Sequence, residues 1–216
     1  MEVLGRYDED GYALLKALIE PEVARAFLQQ VARDIGRTIL PLSGEANHAG
    51  VLTRPALQIF GPDYPPMLSF LWGLTPLMSR LVGRELLPTF DFFRVYRAGD
   101  VCRVHSDGEA CEHSLSLTLG YSEGKAWDLE IGTRPLPGRQ KRLSEDFESE
   151  PHVSVATAPG DAVMYRGVHL RHGRTTPNPN RWSAHLFLHW VERDGPYRDE
   201  AYRGLDLSNP AKVNFG

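Results

Sequence analysis

Residues 103–114 read RVHSDGEACEHS, placing two histidines, an aspartate, two glutamates and a cysteine within twelve residues. Such side chains ligate metals, move protons or act as nucleophiles. His105 and Asp107 are one residue apart. On an extended segment residues i and i+2 share a face, so this imidazole and carboxylate can converge on one point. A second histidine from a distant segment would complete a two-histidine, one-carboxylate set, which leaves positions open on a non-haem iron(II) ion. The segment YRGVHLRHGR offers His169 and His172 for that role. A thiol site is the second possibility, through Cys111 or the nearby Cys102. A nucleophilic thiol needs a base and a polarising environment, and the sequence pairs neither cysteine with them. The third is an ordinary polar loop, because isolated H-x-D pairs arise by chance.

Further along, RWS at 181–183 opens a strand-like run with Arg181 and Ser183 two residues apart. Arginine grips a carboxylate through two parallel N–H···O bonds, and a serine hydroxyl can donate to the same group. A buried arginine facing no protein carboxylate calls for an anionic ligand.

Two kinds of element must position these residues. The first third reads as helical. In EPEVARAFLQQVARDIG (20–36), Val23, Phe27, Val31 and Ile35 recur every four residues as one apolar stripe. Pro21 suits a first turn and Gly36 a stop. A second helical segment spans 64–83, where the internal Pro76 predicts a kink or two short helices. From about residue 88 the period changes. PTFDFFRVYRAGD ends in a turn, HSLSLTLGY (113–121) alternates Ser/Thr with Leu as a half-buried strand, and WDLEIG, VSVATA, AVMYRG and RWSAHLFLHWV follow. The polar stretch 133–152 reads as a loop and a plausible lid. Helices followed by many short strands give an α+β chain, mainly β, with a sandwich or jelly-roll core. The parts are a helical region at about 1–87, a strand core at about 88–191 and an irregular tail at 192–216.

Composition bounds the function. The 216 residues are 42% hydrophobic and 24% charged, which suits one globular domain. A net charge of −4 lacks the basic footprint of a nucleic-acid binder. No run of eighteen apolar residues offers a membrane span. The opening MEVLGRYDED has neither the basic nor the apolar part of an export signal, so a cytoplasmic protein with two reduced thiols is expected.

In order along the chain, His105-Ser-Asp107, His172 and Arg181-Trp-Ser183 resemble the iron(II)/2-oxoglutarate-dependent oxygenases of the prolyl-hydroxylase-like type. FFRVYRAGDVCRVHSDGEACEHSLSLTLGY and PGDAVMYRGVHLRHGR look like the two halves of that core. The resemblance implies a double-stranded β-helix (jelly roll) buttressed by N-terminal helices. It implies iron(II) held by His105, Asp107 and His172, with 2-oxoglutarate and O2 as co-substrates. By spacing within the family His172 is the better ligand, since Arg181 follows it by nine residues and His169 by twelve. Arg181 would pair with the far carboxylate of 2-oxoglutarate, with Ser183 and Tyr96 in support. An aspartate at 107 favours hydroxylation over halogenation. The implied activity is hydroxylation of a C–H bond in a small molecule or amino-acid side chain, with release of succinate and CO2. The partner is then a small molecule or peptide, with no nucleic acid and no membrane. The alternatives are a prolyl-type protein hydroxylase and a non-catalytic sensor on the same scaffold. A cupin would carry two histidines and a glutamate in its first motif, which is absent.

Overall fold

The computed structural model describes residues 1–37 and 50–203. In chain order the strands are β1 (Glu2–Leu4), β2 (Tyr12–Lys16), β3 (Leu57–Phe60), β4 (Leu86–Arg97), β5 (Cys102–His105), β6 (His113–Tyr121), β7 (Leu129–Gly132), β8 (His152–Val155), β9 (Ala162–Tyr165), β10 (His172–Arg174) and β11 (Trp182–Glu192). The helices are α1 (Tyr7–Asp10), α2 (Pro21–Arg37) and α3 (Leu68–Val82). Seven strands form one sheet in the order β1-β2-β9-β6-β11-β4-β3, and four form a second in the order β5-β10-β7-β8. All strand pairs within them are antiparallel. The architecture is mostly β and jelly-roll-like.

Strand alternation sorts the large sheet into two unlike faces. Leu115, Leu117 and Leu119 of β6, Leu186, Leu188 and Trp190 of β11 and Phe93 of β4 are fully buried. They pack against Ala24 and Val31 of α2 and Leu71 and Met78 of α3. Each large apolar side chain buried there contributes roughly 1.5–3 kcal/mol. The opposite face carries Ser114, Ser116 and Thr118 on β6 and His185, Phe187 and His189 on β11. Phe92, Arg94 and Tyr96 of β4 complete it, and this face looks toward the small sheet. Leu129, Ile131 and Val155 of the small sheet close onto Val163 and Tyr165 of β9.

The alternating Ser/Thr–Leu run predicts a half-buried strand, yet all nine residues of β6 are buried. The polar side meets a second sheet instead of solvent. Its hydroxyls bond inward, with Thr118 Oγ1 2.7 Å from Thr157 Oγ1 and Ser114 Oγ 2.9 Å from His189 Nδ1. Alternation cannot tell water from a polar interior, because both ask for hydrogen-bonding groups.

Two other expectations change. The N-terminal third is not only helical, since β1, β2 and β3 extend both edges of the large sheet. Pro76 lies inside one continuous helix. There the Thr75 hydroxyl donates to the carbonyl of Leu71 at 2.7 Å. Residues 204–216 of the tail lie outside the described residues.

The turn before β9 is held by a buried charge. Asp161, 4% exposed, accepts hydrogen bonds from the backbone N–H groups of Ala17 and Ala158, both at 2.9 Å, and pairs with Lys16 at 2.5 Å. Burial pushes its carboxyl up, but Lys16 and the two amides outweigh this and hold it below the usual range. A carboxylate depressed in the folded state stabilises above its unfolded pKa, and that contribution disappears as pH falls through the folded value. Asp161→Asn is therefore expected to cost about 2–4 kcal/mol at neutral pH. The gap to the parent should narrow below about pH 4. Denaturant melts at pH 7 and pH 3 check this; a gap equal at both would rule it out.

Candidate active site

The two sheets bring the H-x-D segment and the YRGVHLRHGR segment together. β10 pairs antiparallel with β5, with His172 directly opposite His105. Their rings lie 4.5 Å apart between centroids. Past β5 the chain turns, and the Asp107 N–H donates to the carbonyl of Gly167 at 2.8 Å. That contact swings the carboxylate between the imidazoles. Asp107 Oδ1 is 3.5 Å from His105 Nε2, and Oδ2 is 3.4 Å from His172 Nε2.

The second nitrogen of each ring is already committed. His105 Nδ1 meets the carbonyl of Arg103 at 2.7 Å, and His172 Nδ1 meets that of Leu170 at 3.0 Å. A ring that donates Nδ1–H to a carbonyl turns its Nε2 lone pair outward, which is how metal-bound histidines are oriented. The ligand atoms of His105, Asp107 and His172 all lie within 4.8 Å of one another. Ser114 Oγ donates to Asp107 Oδ2 at 3.3 Å. Burial pushes the Asp107 carboxyl up, but the charge and hydrogen bonds of the two imidazoles prevail and hold it well below the usual range. For His105, burial together with its neighbour His172 lowers the pKa. Burial also works against the charged form of His172, but Asp107 overrides it and the pKa is raised. Two imidazoles and a carboxylate with converging lone pairs form a donor set that fits a divalent first-row metal such as iron(II).

This cluster lines one wall of a cavity of about 320 Å³. The opposite wall comes from the inner face of the large sheet and is aromatic. Phe92 stacks on Phe187 with centroids 4.8 Å apart, and Phe90 lies 4.6 Å from the His189 ring. Tyr96 is buried in the same wall, and its hydroxyl accepts a hydrogen bond from Arg94 at 3.1 Å. Two buried guanidiniums, Arg94 and Arg174, also line the cavity.

Other sequence candidates fall elsewhere. His169 is half-buried, holds the carbonyl of Leu136 with Nδ1 at 3.0 Å and lines a separate cavity. Arg181 is not brought to the site. Its side chain is 81% exposed and paired with Glu123 at 2.6 Å, because β11 starts only at Trp182 and residue 181 lies on the rim. Ser183 is fully buried, but its hydroxyl donates to Asn178 Oδ1 at 2.8 Å and it does not line the cavity. Cys102 and Cys111 are unpaired and buried. Burial pushes Cys102 up to about 11 and Cys111 well above the usual thiol value, so neither is a ready thiolate. The polar stretch 133–152 lies along β5: Ser144 bridges to Val104, and the Gln140 N–H donates to Ser106 Oγ at 2.9 Å. Arg174 and His189 went unrecognised in the sequence. The available signal was parity, since Arg174 follows His172 by two residues and His189 follows Phe187 by two.

Solved structures of similar shape share this arrangement of sheets. The non-heme alpha ketoglutarate dependent carbocyclase SnoK from nogalamycin biosynthesis aligns with a TM-score of 0.68 at 15% identity, over 88% of this chain and 82% of that one. The chain has the fold of the iron(II)/2-oxoglutarate-dependent oxygenases. The epimerase SnoN, solved with Fe3+, alpha ketoglutarate and nogalamycin RO, aligns with this oxygenase fold at a TM-score of 0.62 and 14% identity, covering 95% and 88% of the two chains. A Pseudomonas putida prolyl-4-hydroxylase aligns at 0.56 and 12% identity, covering 85% and 94%. No protein-family model and no curated protein matches the sequence. Among the described residues, no helix is long and apolar enough to cross a membrane.

Proposed function

We propose that this protein is an iron(II)/2-oxoglutarate-dependent dioxygenase that hydroxylates a C–H bond of a small molecule or amino-acid side chain. The observation that carries the reading is the convergence of His105 Nε2, Asp107 and His172 Nε2, with both Nδ1 atoms locked on backbone carbonyls. The scaffold implied is a double-stranded β-helix with α2 and α3 as its buttress, the whole chain forming one catalytic domain.

Bound there, iron(II) would supply the oxidising chemistry, in which 2-oxoglutarate and O2 become succinate and CO2 as the substrate C–H bond is oxidised. The protein's own residues supply position and environment. His105, Asp107 and His172 would hold the metal from one side and leave the cavity side open. Ser114 fixes the Asp107 carboxylate, so the ligand set is organised before any metal arrives. The aromatic wall of Phe90, Phe92 and Phe187 excludes water from the reacting region and offers an apolar surface to the substrate. With Asp107 retained as a ligand, hydroxylation is the outcome expected over halogenation.

The test is spectroscopic and catalytic. The protein loaded anaerobically with iron(II) should develop the weak visible band of the 2-oxoglutarate chelate on titration. With O2 and a substrate it should release succinate in step with substrate oxidation. A protein that binds iron(II) without developing that band is not an oxygenase of this type. Succinate release across small molecules and proline-containing peptides separates the small-molecule reading from a protein hydroxylase.

A further inference from the structure

Resting on that reading, we infer that the far carboxylate of 2-oxoglutarate is held by Arg174, with Arg94 lining the same cavity, and not by Arg181. Arg181 lies on the rim with its charge matched by Glu123. Arg94 and Arg174 are 6% and 2% exposed, and no described carboxylate lies within ion-pairing distance of either. Two buried cations without an anion are costly, and a dianionic ligand removes that cost.

The partners of the two side chains show which has donors to give. Arg94 is braced by neutral groups: its Nε bonds Gln58 Oε1 at 2.8 Å, a second nitrogen bonds the same oxygen at 2.5 Å, and a third meets the Tyr96 hydroxyl at 3.1 Å. Its charge is presented but most of its fork is occupied. Arg174 donates to the carbonyl of Trp127 and lies over the Trp127 ring at 4.9 Å from the centroid. An arginine has five N–H donors, so most of those on Arg174 are left for a ligand.

Position along the strand agrees. Arg174 is two residues beyond His172 on β10, and both line the cavity. Two residues of strand advance about 6.5–7 Å. This spacing suits a five-carbon diacid gripped at one end beside His172 and at the other by a guanidinium. His185 is held well below its ordinary value by burial and by Arg174 and Arg94, so it stays neutral. Its Nε2 is buried without a hydrogen-bond partner, but the residue does not line the cavity. The positive charge there therefore comes from the arginines.

The experiment compares 2-oxoglutarate with 2-oxopentanoate, which keeps the oxo acid and the chain length but ends in a methyl group. Anaerobic iron(II) protein is titrated with each and followed by the chelate band. Iron(II) affinity, measured separately, shows that each variant keeps its site. Wild type should prefer 2-oxoglutarate by about 100-fold, the scale of a buried charge pair. Arg174→Met should lower that ratio below about tenfold by weakening 2-oxoglutarate alone. Arg174→Gln, which can still donate to the Trp127 carbonyl, should do the same and serves where the methionine variant does not fold. Arg181→Ala should leave the ratio within about twofold, since an exposed pair contributes little. A ratio kept in the Arg174 variants, or lost in Arg181→Ala, overturns the inference while leaving the oxygenase reading intact. Absence of any chelate band in wild type overturns both.

Discussion

Asp107→Ala is expected to reduce iron(II) affinity by more than about 100-fold, above the 10–100-fold cost of losing a partner outside the ligand set. Turnover should fall to background. Three features set that size. Among the described residues, Asp107 supplies the only carboxylate between the two imidazoles, with an oxygen 3.5 Å from one Nε2 and 3.4 Å from the other. Its negative charge also offsets that of a divalent metal held in a buried site, and alanine removes it. A cavity replaces it, and no other described carboxylate or cysteine groups with both His105 and His172; Cys111 groups with Asp107 and His189. Anaerobic iron(II) titration with competition by a chelator measures the affinity. Unchanged binding would mean that the metal sits elsewhere. Asp107→Glu should bind iron better than the alanine variant yet turn over poorly, because one added methylene pushes the carboxylate into a gap already bounded by Ser114 and Gly167.

The His105, Asp107 and His172 cluster is legible in part: H-x-D spacing puts two of them on one face, and pairing of β10 with β5 brings the third opposite. Spacing to Arg181 favours His172 over His169, yet Arg181 itself lies on the rim with Glu123. Strand parity puts Arg181 on the face of Ser183 and His185, but parity holds only inside the strand. β11 begins at Trp182, so the side chain one step earlier is free to leave for Glu123. Element boundaries are where sequence pattern is weakest, and this residue stood on one. Arg174 escaped for the opposite reason. It looked like one more arginine in YRGVHLRHGR, and only the closure of the small sheet over the large one shows that it is buried. The helix at 21–37 was readable from its apolar stripe, and 68–82 as a helical segment but not as one unbroken helix across Pro76. The three N-terminal strands were not, because none exceeds five residues, and β2 and β3 join the sheet through β9 and β4, far along the chain.

Gly167→Ala is expected to damage the site almost as much as loss of a ligand, though residue 167 carries no side chain. A Cβ built there would lie 2.5 Å from Asp107 Oδ2, 2.5 Å from the carbonyl oxygen of Cys111 and 2.6 Å from Ser114 Oγ. All three are far inside contact distance. The first and third are side-chain atoms that can yield, but moving them displaces the ligand carboxylate and the hydroxyl that fixes it. The Cys111 carbonyl belongs to backbone and cannot move cheaply. Gly167 does not have a positive φ, so alanine fits the backbone and the conflict is purely steric. The expected result is an iron(II) affinity lower by roughly 10–100-fold. The thermal midpoint should fall by the equivalent of about 1–3 kcal/mol, the usual cost of overpacking. Gly108→Ala is the control. It neighbours Asp107 in sequence, but a Cβ there meets nothing within 4 Å, so metal affinity and melting should be unchanged. Equal metal affinity in the two alanine variants would show that the approach of Gly167 to Asp107 does not set the ligand's position. A selective loss in Gly167→Ala would show that the glycine is needed because the turn after β9 passes against the carboxylate, so that the same backbone both receives the Asp107 N–H and leaves room for its oxygens.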